Sequence, residues 1–548
     1  MAGVLRIALG QFNAVVGDLH ANAEKMRLLY DNAITAGVDV VVFPELALCG
    51  YPPEDLLLKA HFVADNRMAL ESLAAKCPGL TMLVGFPESH LGKTYNAMAV
   101  LKGGHIQKIY RKCLLPNYGV FDEHRYFAAG SEPVVITIQD YRIALTVCED
   151  VWETDWLANF LEPVNPIDLV INISASPFHV GKLAVRQEIL SRCAMRLKCG
   201  VAYCNLVGGQ DELVFDGRSM VVDSAGRVVT QAKAFAEDML IAQITRKDGT
   251  IIIKDSAASV EQLSPVAEVY EALVLGTRDY VQKNKFKRVV IGLSGGIDSA
   301  LTAAIAVAAL GNENVVGVTM PSRFNSPDTI SDAGLVAKNL GMEFRTIPIG
   351  GILETYDTTL HATHGWDNKG LAYENLQARI RGTILMSLSN QLGWLVLTTG
   401  NKSETAVGYS TLYGDTAGGF AVIKDVPKTL VYQLADYINK MNGREVIPVS
   451  TIKRIPTAEL RPNQKDSDSL PEYDLLDQIL KGYVEEDKSS RELIAQGMPD
   501  AVVGKVIRMI DRNEYKRRQS PPGIKITPKA FGKDWRLPIT NAYGSQTR

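Results

Sequence analysis

Arg288-Val289-Val290-Ile291-Gly292-Leu293-Ser294-Gly295-Gly296-Ile297-Asp298-Ser299 starts as a β-branched apolar run, turns through a glycine pair and leads into an Ala-rich helical stretch. Strand, loop and helix follow one another in the order an anion site requires. Glycines let backbone N–H groups converge on phosphate oxygens, serine hydroxyls add donors, and the helix N-terminus supplies a favourable dipole. Asp298 would repel bare phosphate but is a hard oxygen ligand beside a magnesium ion, so it predicts Mg2+ at this loop. The loop is neither a Walker A, which needs Gly-Lys-Ser/Thr, nor the spaced glycines of a dinucleotide fold. A capped turn accounts for a lone glycine pair; it does not account for the whole hexapeptide after a buried strand.

Around this loop the second half repeats a βα rhythm. A helix over 266–284 precedes the strand 288–292, and strands at 315–319, 344–347 and 395–398 follow, which predicts a doubly wound parallel sheet. The first half also alternates apolar runs (5–11, 38–43, 81–85, 97–101, 143–147, 169–173, 201–205) with amphipathic stretches (22–36, 181–197), an α/β layered pattern. Segments 214–222 and 227–230, joined by Asp223-Ser224-Ala225-Gly226, predict a hairpin. Residues 246–265 turn polar and irregular, so the expected organisation is a domain over 1–245, a linker over 246–265 and a domain over 266–548. A chain of 548 residues is long enough for two full cores.

Composition excludes several classes. A net charge of −3 offers no field for nucleic acid, and the locally basic stretch 512–536 reads as a solvated or phosphate-facing tail. No apolar run is long enough to span a bilayer and no leader pattern opens the chain, so a cytoplasmic protein is expected. The seven cysteines all lie at or before Cys204, without CxxC pairing, which argues against a disulfide framework or structural zinc. His361 and His364 form an HxxH without a neighbouring Glu or Cys cluster and read as a loop or surface pair.

The SGGxDS form resembles the pyrophosphate loop of the ATP-pyrophosphatases, which adenylate a substrate with ATP. That likeness alone leaves GMP, asparagine, argininosuccinate and NAD synthetases open. Glu374-Asn375-Leu376-Gln377-Ala378-Arg379, Thr399-Gly400-Asn401-Lys402-Ser403-Glu404, Tyr413-Gly414-Asp415, Pro427-Lys428-Thr429, Glu459-Leu460-Arg461-Pro462 and Arg517-Arg518-Gln519-Ser520-Pro521-Pro522 occur in the order and approximate spacing of the NAD synthetase family. The resemblance implies ATP on Gly292, Leu293, Ser294, Gly295, Gly296, Ile297, Asp298, Ser299 and Thr399. It implies magnesium on Asp298 and Glu404, and deamido-NAD on Asn375, Arg379, Asp415 and Lys428.

In the first half, Cys148-Glu149-Asp150-Val151-Trp152 follows an apolar strand. A cysteine nucleophile there needs a base to make the thiolate and a cation to hold an oxyanion. Glu45 and Lys112 each end an apolar run abruptly. Glu45, Lys112 and Cys148, in that order, resemble the triad of the nitrilase or carbon–nitrogen hydrolase family over about residues 4–245. The likeness implies an αββα sandwich with Glu45 as general base, Lys112 as oxyanion stabiliser, Cys148 as nucleophile and Glu123 as a supporting glutamate. Its glutaminase branch adds Tyr51 and Tyr118 near the pocket and Glu149 and Ser176 toward the substrate ammonium. Lys182 stands where an arginine would clasp the glutamine carboxylate, keeping the charge and losing the bidentate fork.

Together the halves resemble the glutamine-dependent NAD synthetase family, which implies that ammonia from glutamine amidates deamido-NAD activated by ATP and magnesium. The family also implies a homo-oligomer. Two alternatives stand beside this reading: a binding or scaffold protein retaining both folds, and a fused amidase and ATP-pyrophosphatase that amidates another acid.

Overall fold

The computed structural model describes residues 3–247, 250–255, 262–363 and 365–543, and the chain divides into two compact units, Met1–Leu263 and Ser264–Arg548. Among the described residues the first unit holds a seven-stranded and a six-stranded sheet. The first runs, edge to edge, Thr250–Asp255, Asp238–Lys247, Leu5–Gln11, Val40–Val42, Thr81–His90, Lys93–Lys102, His105–Arg111; the second runs Val228–Gln231, Met220–Val222, Gly200–Asn205, Leu169–Ser174, Tyr141–Val147, Val135–Ile138. Each sheet has a parallel centre, formed by the strands at 5–11, 40–42 and 81–90 in one and at 141–147, 169–174 and 200–205 in the other.

Side-chain alternation builds the layers. Leu5, Ile7 and Leu9 join Val40 and Val42 against Ile143, Leu145, Val147 and Ile171 of the other sheet. Ala8, Val41 and Phe43 point the opposite way, onto Met26, Tyr30 and Ala33 of the helix Leu19–Thr35 and Leu70, Leu73 and Ala74 of the helix Ala60–Lys76. The second sheet buries its outer face against the helices Thr154–Leu161 and Lys182–Leu197. The period-2 strands therefore produce the expected αββα sandwich.

Two expectations change. Residues 214–222 are not one strand: the chain turns at Gly217 (φ +65°) and Arg218 (φ +56°), leaving Leu213–Asp216 paired with Val207–Gln210 and only Met220–Val222 in the hairpin with Val228–Gln231. Residues 250–255, placed in the linker, form a strand antiparallel to 238–247, because Ile-Ile-Ile supplies a sheet edge. Residues 248–249 and 256–261 of that predicted linker, and His364 of the HxxH, lie outside the described residues.

The second unit opens with the helix Pro265–Lys283, whose Ser264 hydroxyl accepts from the Ala267 amide behind a proline at the first helical position. Its sheet is wholly parallel, in the order Glu343–Thr346, Val315–Thr319, Val289–Gly292, Leu395–Thr398, Phe420–Ala421. The chain builds outward to one side from 289–292 and then returns to its other side at 395–398. Between those two strands lies a topological switch point, where open α/β sheets leave a crevice at their C-terminal ends. The basic stretch 512–536 is not a solvated tail: Arg517 and Lys525 are buried, bonded to Ala406, Ile510 and Glu514 and to Thr527, Pro528 and Asp534. Among the described residues, no helix is long and apolar enough to cross a membrane.

Candidate active sites

Glu45 follows the strand Val40–Val42, whose extension carries Phe43 N–H to Leu83 O at 2.9 Å. The backbone can turn there because Gly85 faces it: a Cβ at 85 would lie 2.4 Å from both the Leu46 amide and the Pro44 carbonyl. Lys112 follows the strand His105–Arg111 and donates its amide to Asn96 O at 2.8 Å. Both side chains are fully buried, and the Lys112 ammonium donates to Glu45 Oε1 at 2.8 Å and Glu123 Oε1 at 2.9 Å. Asn96 Nδ2 and the Ala175 amide also donate to Glu45, at 2.7 and 2.9 Å, and the Tyr51 hydroxyl donates to Glu123 at 3.2 Å.

Cys148 ends the strand Tyr141–Val147 with φ +45°, a left-handed conformation that costs a non-glycine residue about 1–3 kcal/mol. Asp150 holds that turn. Its buried carboxylate accepts from the Val147 amide (2.9 Å) and Tyr110 hydroxyl (2.7 Å) on one oxygen, and from the Cys113 (3.1 Å) and Leu114 (2.9 Å) amides on the other. One side chain thus ties the cysteine turn to the segment that carries Lys112.

The electrostatics fit a resting, protonated nucleophile. Burial, then the Glu45 charge, pushes the Cys148 thiol well above its ordinary value against the pull of Lys112. Burial opposes the Lys112 charge, but Glu123 and Glu45 hold it well above the ordinary lysine value, so the ammonium persists. Burial lifts Glu123 to about 7, with Lys112 opposing. The other six cysteines are buried too, so burial does not single out Cys148; what sets it apart is a cation and two carboxylates.

Around this cluster the half-exposed Tyr118 donates its hydroxyl to both Glu149 oxygens at 2.9 and 3.1 Å. Ser176 accepts from the buried Arg186 at 3.5 Å and Arg186 pairs with Asp216 at 3.0 Å. The Lys182 ammonium stands 4.1 Å above the Trp152 ring.

In the second unit the loop after Val289–Gly292 is shaped from within. Ser299 Oγ donates to Gly296 O at 2.9 Å and accepts from the Ser294 amide at 3.3 Å. Gly295 takes φ +83° with Thr329 O only 2.1 Å from where a Cβ would stand. Asn401 bridges the two loops at the switch point, donating to Asp298 Oδ1 and accepting from the Glu404 amide, both at 2.9 Å. Lys428 enters between the carboxylates, reaching Asp298 at 2.5 Å and Glu404 at 3.2 Å. Burial lifts Glu404 to about 7 against the pull of Lys428.

A cavity of about 420 Å³ is lined by Gly292, Leu293, Ser294, Asn375, Thr399 and Asp415, with apolar walls from Val318, Met320, Leu385 and Leu397. A second of about 200 Å³ is lined by Gly296, Ile297, Asp298, Glu404 and Lys428, and Ser294, Asn325 and Asp415 border both. Lys428, expected among the deamido-NAD contacts, sits between the proposed metal carboxylates. Arg379 is not on the cavity; exposed, it donates to Leu412 O at 3.2 Å. Gly295 and Ser299 shape the loop without lining either space. No group of three or more His, Cys, Asp or Glu among the described residues is placed to hold an ion. The Asp298 and Glu404 pair nevertheless fits magnesium, which commonly takes one or two carboxylates and completes its shell with phosphate oxygens.

Sequence reasoning passed over Asn96, Asp150, Asn401 and two basic residues that line the larger cavity, Arg381 and Lys516. Only Asp150 and Asn401, inside quoted motifs, carried a local signal.

Comparison with known proteins follows the same division. The carbon–nitrogen hydrolase family matches residues 6–252 and the NAD synthase family residues 269–520. A glutamine-dependent NAD(+) synthetase of Thermotoga maritima is 46% identical over 98% of this chain and 99% of its own, and one of Aquifex aeolicus 45% identical over 98% and 100%. The chain belongs to the glutamine-dependent NAD(+) synthetase family. A solved structure of the family, the Acinetobacter baumannii synthetase in complex with ADP, matches with TM-score 0.80 and 41% identity over the whole of both chains. Another, from Cytophaga hutchinsonii at 24% identity, shares the fold with TM-score 0.84.

Proposed function

We propose that this chain is a glutamine-hydrolysing NAD synthetase: one unit frees ammonia from glutamine, and the other uses ATP to amidate deamido-NAD. The observation that carries the reading is the Lys112 ammonium fixed between Glu45 and Glu123 beside a strained Cys148. Glu45 takes the thiol proton as Cys148 attacks the amide carbon, Lys112 faces the developing oxyanion, and Glu45 returns the proton to the departing ammonia. Water, deprotonated by Glu45, then opens the thioester to glutamate. Tyr51 and Glu123 hold Lys112 in place, while Tyr118, Glu149, Ser176 and Lys182 form the glutamine pocket.

In the second unit the nucleotide phosphates lie on the Ser294–Ser299 loop and the base in the larger, apolar-walled cavity. Asp298 and Glu404, completed by phosphate oxygens, would hold magnesium, whose charge would offset that of the leaving pyrophosphate. Lys428 supplies a further cation to the same phosphates. The carboxylate of deamido-NAD displaces pyrophosphate to form the adenylate, and ammonia displaces AMP to give NAD. Asn375 and Asp415 border the space left for deamido-NAD. The working enzyme is a homo-oligomer of the cytoplasm, and light scattering of the purified chain measures its oligomeric state.

The test is Cys148→Ala. Glutamine-supported NAD formation should fall by at least about a thousandfold, and formation from added ammonium salt should stay near the parent rate. Loss of both in a folded variant sinks the division of labour.

A further inference from the structure

Arg381 lies on the helix Leu371–Leu392, two residues past the outward-facing Arg379, and turns into the 420 Å³ cavity. Its Nε donates to Met320 O at 3.0 Å and its Nη2 to Asn325 Oδ1 at 3.1 Å. Both acceptors are neutral, and no carboxylate pairs with Arg381 among the described residues. Glu459, the acid whose field reaches it, is already engaged by Asn325 Nδ2 at 3.0 Å and Thr329 Oγ1 at 2.8 Å. Burial draws the guanidinium down to about 10. A half-buried cation with only neutral partners is costly unless an acceptor arrives to complete its shell.

Its position names the half of the nucleotide it meets. The Gly296–Asp298 backbone, Glu404 and Lys428 border the smaller cavity, which suits the departing pyrophosphate. Arg381 borders the larger one, on the far side of the Ser294 and Asn325 boundary shared by both. We infer that Arg381 is a binding residue for the AMP half of ATP, its guanidinium held by Met320 and Asn325 so that the remaining N–H groups donate to the nucleotide. The assignment rests on the ATP reading above. A guanidinium only donates, so its partner is an α-phosphate oxygen, a ribose oxygen or a purine ring nitrogen, never the amino group of adenine. It keeps its grip through the reaction, since AMP stays behind when pyrophosphate leaves.

Calorimetric titration of the full chain with ATP, AMP and inorganic pyrophosphate tests this, alongside KM values in ammonium-supported synthesis. Arg381→Met should weaken ATP and AMP by about tenfold or more, the scale of one charge-assisted hydrogen bond. Pyrophosphate affinity and the KM for deamido-NAD should stay within about twofold. Arg381→Lys, which keeps the charge and loses the fork, should fall between. Equal weakening of pyrophosphate and AMP overturns the assignment, because the arginine then acts through the shape of the whole site. A change confined to deamido-NAD overturns it as well. Should Arg381→Met not fold, Arg381→Lys decides: AMP affinity equal to the parent overturns the proposal. A parent that binds neither nucleotide overturns the functional reading and this with it; a parent that binds AMP beside an unimpaired variant overturns this alone.

Discussion

At the scale of single residues, Lys182 shows how a substitution sets a working range. Burial, reinforced by the Arg186 charge, lowers its ammonium from the ordinary 10.5 to about 8, with Cys148, Glu149 and Asp216 opposing. A lowered lysine keeps its charge below that value and loses it as pH rises through it. If Lys182 clasps the glutamine carboxylate, KM for glutamine climbs above about pH 8, approaching tenfold per unit, while KM for free ammonia stays flat. Lys182→Arg should move that limb upward. Steady-state profiles with the two nitrogen sources check it; parallel curves would remove Lys182 from the pocket. Asp150 is a second residue-scale case. Asp150→Ala strands the buried Val147 and Cys113 amides, the part-buried Leu114 amide and the Tyr110 hydroxyl, so a loss of about 3 kcal/mol or more is expected, read by denaturant unfolding. Glutamine-supported synthesis should be lost and ammonium-supported synthesis spared. Glu45 was legible because it ends an apolar run with a charge and Cys148 because it follows a buried strand, whereas Lys112 follows a strand of mixed polarity and was found through its order with the other two; Asn96 and Arg381 were not, because an amide on a strand or a second arginine on a helix declares its direction only once neighbours are packed.

Among elements, the strand–loop–helix from Val289 to Leu310 formed as its sequence predicts, and the reason is local: β-branched residues, then glycines, then alanines. Gly295→Ala tests its rigidity. With φ +83° and Thr329 O 2.1 Å from the new Cβ, the loop must move. A thermal shift equivalent to about 1–3 kcal/mol and a marked loss of ATP affinity are expected, measured by calorimetry on one preparation. Undiminished ATP binding would mean that the loop does not cradle phosphate. Legibility fell where strands sit at sheet edges. His105–Arg111, with His105, Gln107 and Lys108 exposed, and the two-residue Phe420–Ala421 carry too little apolar pattern to be read alone. The Arg512–Arg536 stretch misled for another reason: charge density says nothing of whether carbonyls and carboxylates wait to enclose it.

For the whole molecule, two separate chemistries in one chain predict a paired outcome. Cys148→Ala should lose only the glutamine-supported reaction, whereas Asp298→Ala should lose synthesis from both nitrogen sources, by at least about a hundredfold, while still carrying an intact glutaminase cluster. Thioester trapping on Asp298→Ala reads the latter directly. The two-unit plan was legible from one interruption in the βα rhythm. The first unit's extra edge strand at 250–255 was not, since a short apolar triplet beside polar turns satisfies a loop as well as a strand. One amide joins the synthetase loops. Asn401 is buried, and its two ends cannot be exchanged: the nitrogen must meet Asp298 and the oxygen must meet the Glu404 amide. Hydrolysis of that amide with age would replace the donor by a third negative charge facing Asp298. Stored protein damaged in this one bond would go on splitting glutamine and release the ammonia unused.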